Sequence, residues 1–176
     1  ITECKNMGIA VLQPDVNSSE DGFTVEGKNI RFGLVAVKNV GLKLIQDLVD
    51  ERNINGKFKS FADFCRRMSA YDFNRRAAEA LIRCGACDSF GLYRSQMLAM
   101  FESIVNTAQR EKKFMLDGQL GLFGDDEDAF DEPEPPKLEE FTRREKLAME
   151  KSSTGIYLTG HPIDEYTDFF EASQTI

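Results

Sequence analysis

The stretch Ile30–Arg52, I-R-F-G-L-V-A-V-K-N-V-G-L-K-L-I-Q-D-L-V-D-E-R, constrains the chain more than any other segment. Leu34 and Val37 mark a short apolar helix that runs into a tight turn at Lys38-Asn39-Val40-Gly41. A second helix leaves that turn. Leu44, Ile45, Leu48 and Val49 recur at helical spacing on one face, with Lys43, Gln46, Asp47 and Asp50 on the other. Two helices joined by so sharp a bend aim backbone N–H groups outward. The second helix starts with unpaired donors and the positive end of its dipole, a combination that accepts a phosphate without reading a base.

The rest of the chain predicts mainly α structure with a small β-hairpin. Phe23–Glu26 and Ile30–Phe32 alternate around a turn at Gly27-Lys28-Asn29, which reads as the hairpin. Ser60-Phe61-Ala62-Asp63 opens a helix that buries Phe61, Phe64 and Met68. Asn74 caps a helix with Ala77, Ala78, Leu81 and Ile82 inward. A turn bracketed by Gly85 and Gly91 leads into a long helix from about Tyr93 to Lys113, with Met97, Phe101, Ile104, Val105 and Ala108 at core spacing. This makes a second helix-turn-helix unit, flanked by Arg75, Arg76, Arg83 and Arg94. Beyond Leu116 the composition turns to glycine and acid, with seven Asp and Glu between Asp125 and Glu134, too little apolar area to order itself. A final amphipathic helix is expected between Leu138 and Lys151, and an extended or strand segment over Gly155–Ile163.

Charge is partitioned. The chain of 176 residues carries a net −8. Between Lys28 and Arg94, however, thirteen Lys and Arg stand against seven Asp and Glu, and from Phe114 onward five stand against sixteen. A basic middle can meet phosphate while an acidic tail stays solvated. There is no apolar run long enough for a bilayer and no signal-peptide pattern, and four irregularly placed cysteines in a charged chain fit a reducing cytoplasm. The chain begins at Ile1 without an initiator methionine, as expected of a segment of a longer protein.

Cys84-Gly85-Ala86-Cys87 closes a helix instead of opening one, against a thioredoxin-like pair, and only Cys4, Cys65 and His161 remain to complete a zinc site. Packed side chains are the favoured reading. The only Asp-x-Asp, Asp126-Glu127-Asp128, lies in the acidic tract and reads as solvated charge, and His161 has no nucleophile at recognisable spacing. No catalytic residue, metal ligand or cofactor is therefore expected.

The bend at Lys38–Gly41 resembles a helix-hairpin-helix element, with Asn39 where a first glycine is common; Asn tolerates the left-handed backbone the turn needs. The chain as a whole resembles an internal piece of the alpha subunits of bacterial DNA polymerase III, the C-family replicative polymerases. The match is carried by Glu3-Cys4-Lys5-Asn6-Met7-Gly8-Ile9, Pro14-Asp15-Val16-Asn17, Ile30–Leu34 with Val37–Gly41, Asn74-Arg75-Arg76, Leu81–Gly91, Gln119–Phe123 and Gly155–Pro162, in the family's order. It implies the end of the fingers over 1–34, a tandem helix-hairpin-helix domain over 35–113, a flexible acidic linker over 114–137, and a helix opening a C-terminal domain over 138–176. It implies duplex-DNA contact through Lys38, Asn39, Val40, Gly41 and Lys43 at the first bend, and through Arg75, Arg76, Arg83, Gly85, Ser89, Gly91 and Arg94 at the second. Gln119, Leu120, Leu122 and Phe123 resemble the peptide by which partners hold the sliding clamp. Catalysis, with its Mg2+, and contacts to other holoenzyme subunits belong to the parent. The alternatives are a bridge between polymerase domains without DNA contact, and a helix-hairpin-helix nuclease or repair factor.

Overall fold

The computed structural model describes residues 2–116 and 133–163. Six α-helices and three short strands follow in the order α1 (Thr2–Asn6), β1 (Val11–Leu12), β2 (Thr24–Glu26), β3 (Asn29–Arg31), α2 (Leu42–Asn55), α3 (Phe61–Met68), α4 (Arg75–Arg83), α5 (Arg94–Leu116) and α6 (Arg143–Thr154). The fold is mainly helical, as expected. The hairpin β2–β3 is present, with Thr24 opposite Arg31 and Glu26 opposite Asn29. Its turn is Gly27-Lys28, with Gly27 at φ 61°. The apolar run near Val11 adds a strand that periodicity did not mark: β1 pairs in parallel with β3, giving the order β1-β3-β2.

Helix starts follow their caps. The Ser60 side chain accepts from the Asp63 amide, and the Asn74 side chain from the Ala77 amide. Thr142 and Glu145 form a reciprocal capping box at α6. The core is aromatic at its centre. Phe64, fully buried, stands edge-on to Phe58 and Phe73 with ring centroids 5.0 and 5.1 Å away, and Phe73 continues to Phe101 at 5.5 Å. Leu44, Ile45 and Leu48 of α2 and Met97 and Ile104 of α5 close around it. Polar pairs tie the periphery to this core. Arg67 of α3 reaches the Glu51 carboxylate of α2 at 2.9 Å, and the Tyr71 hydroxyl donates to the same carboxylate at 2.7 Å.

Two local expectations change. The short helix before the first bend is a single 3-10 turn, Leu34–Ala36, because Val37 is already extended at φ −84°, ψ 118°. Gly155–Ile163 contains no strand. Gly155 ends α6 in the left-handed conformation, and the amides of Leu158 and Thr159 turn back to the Glu150 carboxylate at 3.2 and 3.1 Å instead of to a neighbouring strand. Helix α6 packs on α4 and its Leu147 is buried, so residues 143–154 join the helical unit although the linker separates them in sequence.

Candidate nucleic-acid interface

The two bends are built differently. At the first, Asn39 takes φ 66° and is the only non-glycine residue with positive φ among those described, which lets the chain reverse between the 3-10 turn and α2. Val40 turns its side chain into the core, while Lys38, Asn39, Gly41, Leu42 and Lys43 are exposed. Gly41 is the N-cap of α2 at φ −70°, ψ 146°, and no side chain caps the helix. The first amide of this region with an intrahelical acceptor is that of Ile45, which donates to the Gly41 carbonyl at 3.1 Å. The amides of Val40, Gly41, Leu42 and Lys43 have no acceptor among the described residues. A Cβ built on Gly41 would meet nothing within 4 Å, and its backbone conformation is open to any residue. Neither strain nor internal packing calls for a glycine here, although glycine is among the residues preferred at a helix N-cap. Lys43 reaches Asp47 one turn on at 3.4 Å, a loose and exposed pair. The Lys38 amide is not part of the open set, because it donates to the Ser153 carbonyl of α6 at 2.8 Å; only its side chain faces out.

The second bend is closed by the chain itself. The amides of Gly85, Ala86, Asp88, Phe90 and Gly91 donate to carbonyls within 81–88. At the start of α5 the Glu140 carboxylate takes the place an outside anion would occupy. The Arg94 amide donates to it at 3.2 Å, with the Ser95 amide at 3.5 Å. The segment that brings Glu140 there is strapped down by Ser95 Oγ to the Glu139 carbonyl, 2.8 Å, and Gln96 Nε2 to the Pro136 carbonyl, 3.0 Å.

Arg94 and Gly85, both expected to face phosphate, do not. Arg94 is 2% exposed. Its guanidinium donates to both Asp88 oxygens at 2.9 and 2.7 Å, to the Arg83 carbonyl at 3.0 Å and to the fully buried Glu150 at 3.3 Å. Burial works against its charge, yet the Asp88 hydrogen bonds and the nearby Glu150 carboxylate outweigh this and hold its pKa above the usual arginine value. Gly85 is buried against that guanidinium at φ 86°, and a Cβ there would stand 2.5 Å from an Arg94 nitrogen. The outer rim keeps Arg75, Arg76, Arg83, Ser89 and Gly91 exposed. Arg75 is shared between Glu79 and Glu102, and Arg83 approaches Glu79 at 3.4 Å. Arg76 has no ion pair among the described residues. Glu140, Glu150 and Ser153 were not marked as site residues beforehand; their roles depend on a fold-back across the linker, for which the sequence carries only the run of acid.

The cysteine motif is packed. Burial pushes the Cys84 thiol up to about 12 and lifts those of Cys65 and Cys87 too. Cys84 Sγ donates to the Leu81 carbonyl at 3.2 Å. No group of three or more His, Cys, Asp or Glu able to hold a metal occurs among the described residues. A thiol reagent at pH 8 is expected to modify Cys4 alone in the native chain and all four cysteines after denaturation. Rapid native modification of Cys84 or Cys87 would contradict the packed reading. Gln119, Leu120, Leu122, Phe123 and Asp126-Glu127-Asp128 lie outside the described residues. No described helix is long and apolar enough to cross a membrane.

The family model described as "Helix-hairpin-helix motif" matches residues 8–97. The DNA polymerase III subunit alpha of Vibrio cholerae is 38% identical over 169 residues, which are 94% of this chain and 15% of that protein. The corresponding subunit of Thermus aquaticus is 40% identical over the whole chain and 14% of its own length, and that of Deinococcus radiodurans 35% identical over 98% of the chain and 13% of its own. The chain thus spans about a seventh of these relatives' length. By this match and by the open first bend, the chain belongs to the helix-hairpin-helix family, and it corresponds to a segment of DNA polymerase III alpha subunits.

Proposed function

We propose that this segment binds duplex DNA through its sugar–phosphate backbone, with the Lys38–Lys43 bend as the principal contact. The open amides from Val40 to Lys43 carry this reading. They lie at the positive end of a helix of 14 residues, beside a glycine that leaves the space in front of them open, and between two exposed ammonium groups. Asn39 sets the turn. Arg75, Arg76, Arg83, Ser89 and Gly91 form a second, more neutralised flank that steers phosphate without seating it. Binding of this kind is indifferent to sequence and sensitive to salt. Titrating a labelled duplex at two salt concentrations tests it: the affinity should fall steeply with salt and be equal for unrelated sequences. No binding at low salt would reject the proposal.

The second bend also braces this helical unit internally, through the Arg94–Glu150 clasp and Glu140 at α5, so the principal DNA contact falls to the first bend. In the parent, DNA-templated synthesis supplies the function this grip serves. The Gln119-Leu120-Gly121-Leu122-Phe123 peptide would hold a sliding clamp by placing Leu122 and Phe123 in an apolar pocket with Gln119 bonded at its rim. A weak DNA grip and a weak clamp peptide on one chain reinforce each other through effective concentration. Replacing Leu122 and Phe123 by alanine is expected to abolish clamp binding and leave DNA affinity unchanged. Equal clamp binding by the variant would overturn the assignment.

A further inference from the structure

From Phe114 onward the chain is strongly acidic, yet four of the five cations in that stretch, Arg143, Arg144, Lys146 and Lys151, fall within the 12 residues of α6. The helix also withdraws both of its carboxylates. Glu145 is drawn over the N-terminus by the capping box with Thr142, where it offsets the helix dipole. Glu150 is fully buried on Arg94, Leu158 and Thr159. Leu147, Glu150 and Ser153 face inward. Outward stand Arg144, Ala148, Lys151 and Ser152, with the two cations seven residues apart on one side of the helix, about 10 Å at 1.5 Å per residue. Neither cation makes an ion pair among the described residues. The Lys151 ammonium rests 5.1 Å from the Tyr157 ring centroid, which directs it without neutralising it.

This face adjoins the first bend. The Ser153 carbonyl near the end of α6 accepts from the Lys38 amide at 2.8 Å. Lys151 is two residues before Ser153, so the Cα atoms of Lys38 and Lys151 lie within about 13 Å of each other. We infer that α6 extends the DNA contact, with Arg144 and Lys151 meeting phosphates of the duplex held at the bend. The inference rests on the backbone binding proposed above and adds a second surface to it. The composition of the face selects the partner. A protein partner is anchored by large aromatic or apolar side chains, and a membrane surface by an apolar stripe. Between Arg144 and Lys151 the exposed residue is Ala148. Cations separated by a small residue suit an anionic polymer that approaches closely and offers no apolar anchor. The two charges span about three phosphates of one strand at about 3.4 Å of rise per nucleotide.

Salt dependence tests the contact, because each phosphate neutralised by a cation releases counterions. Anisotropy titrations of a labelled duplex over a series of KCl concentrations would compare the full chain with three double variants. Arg144→Gln with Lys151→Gln removes two charges from α6. Lys57→Gln with Lys59→Gln removes two exposed charges beyond the end of α2, about 20 Å from the first bend. Arg144→Lys with Lys151→Arg keeps the charge of α6. Neutralising α6 is expected to reduce the slope of log affinity against log salt by about one to two, with a loss of about three- to tenfold at low salt that shrinks as salt rises. The other two variants should match the parent chain. If the parent chain binds and the α6 variant keeps its slope, or if the Lys57 and Lys59 variant loses as much, the α6 contact is overturned and the first bend stands alone. If the parent chain itself fails to bind at low salt, the backbone binding falls first and the α6 contact with it.

Discussion

Gly41→Asp is expected to make the protein more stable and to remove its grip on DNA. Gly41 already has the extended backbone of an N-cap, at φ −70°, ψ 146°, and lacks only a side chain to do the capping. Aspartate there accepts from the free amides of the first turn of α2, a gain of about 0.5–2 kcal/mol, seen as a rise of a few degrees in melting temperature. The same carboxylate then fills the phosphate position and repels the ligand. Hydrogen bonds to a charged group are worth about 1.5–3 kcal/mol, so the affinity should fall roughly ten- to hundredfold. The second bend displays the outcome in nature's own version, with Glu140 capping α5 and closing it. Gly41→Ala should be milder on both counts, with stability nearly unchanged because the chain-entropy gain opposes alanine's poor fit at an N-cap, and affinity modestly lower because a Cβ enters the open space in front of the amides. Thermal melting and a low-salt DNA titration on the same preparation read both effects. A stabilised Gly41→Asp that binds DNA as before would contradict the role assigned to the bend.

Breaking the Arg94–Glu150 clasp is expected to cost the protein several kcal/mol of stability. Glu150 is fully buried and holds four things at once: the Arg94 guanidinium, the Leu158 and Thr159 amides and the Thr159 hydroxyl. Removing one member leaves the other buried and under-partnered, at about 3–5 kcal/mol. Glu150→Ala and Arg94→Ala should each lower the unfolding free energy by that scale, read as a shift of the urea midpoint. The double variant Arg94→Met with Glu150→Leu should recover part of the loss, since apolar replacement of a whole buried pair is far cheaper than orphaning half of it. DNA binding supplies the discriminating readout. In any Arg94 variant that stays folded, the salt slope should match the parent, because this guanidinium neutralises carboxylates and not phosphate. A stable Arg94→Ala with a slope reduced by about one would restore Arg94 to the DNA contact.

Local signals were readable wherever one residue decides a local structure. Ser60 and Asn74 cap the helices they were expected to cap, since a short polar side chain followed by apolar spacing has few other uses. Asn39 in the left-handed region follows from the same kind of reasoning about what a turn tolerates. What stayed hidden depends on partners distant in sequence. An arginine near a glycine turn looks like a phosphate ligand whether it faces out or in. Only Asp88, Gly85 and Glu150 together make Arg94 internal, and Glu150 stands 56 residues away. Glu140, 46 residues from Arg94, is one acid among many until the fold places it at α5. β1 is two residues long, too short for alternation to register, and is held by its parallel partner β3.

Amide chemical shifts of the labelled chain, recorded while a short duplex is added at low salt, test the asymmetry of the two bends most directly. The signals of Val40, Gly41, Leu42 and Lys43 should move with added DNA, while those of Arg94 and Ser95, already bonded to Glu140, hold still. Movement at Arg94 and Ser95 with the first bend unchanged would contradict it.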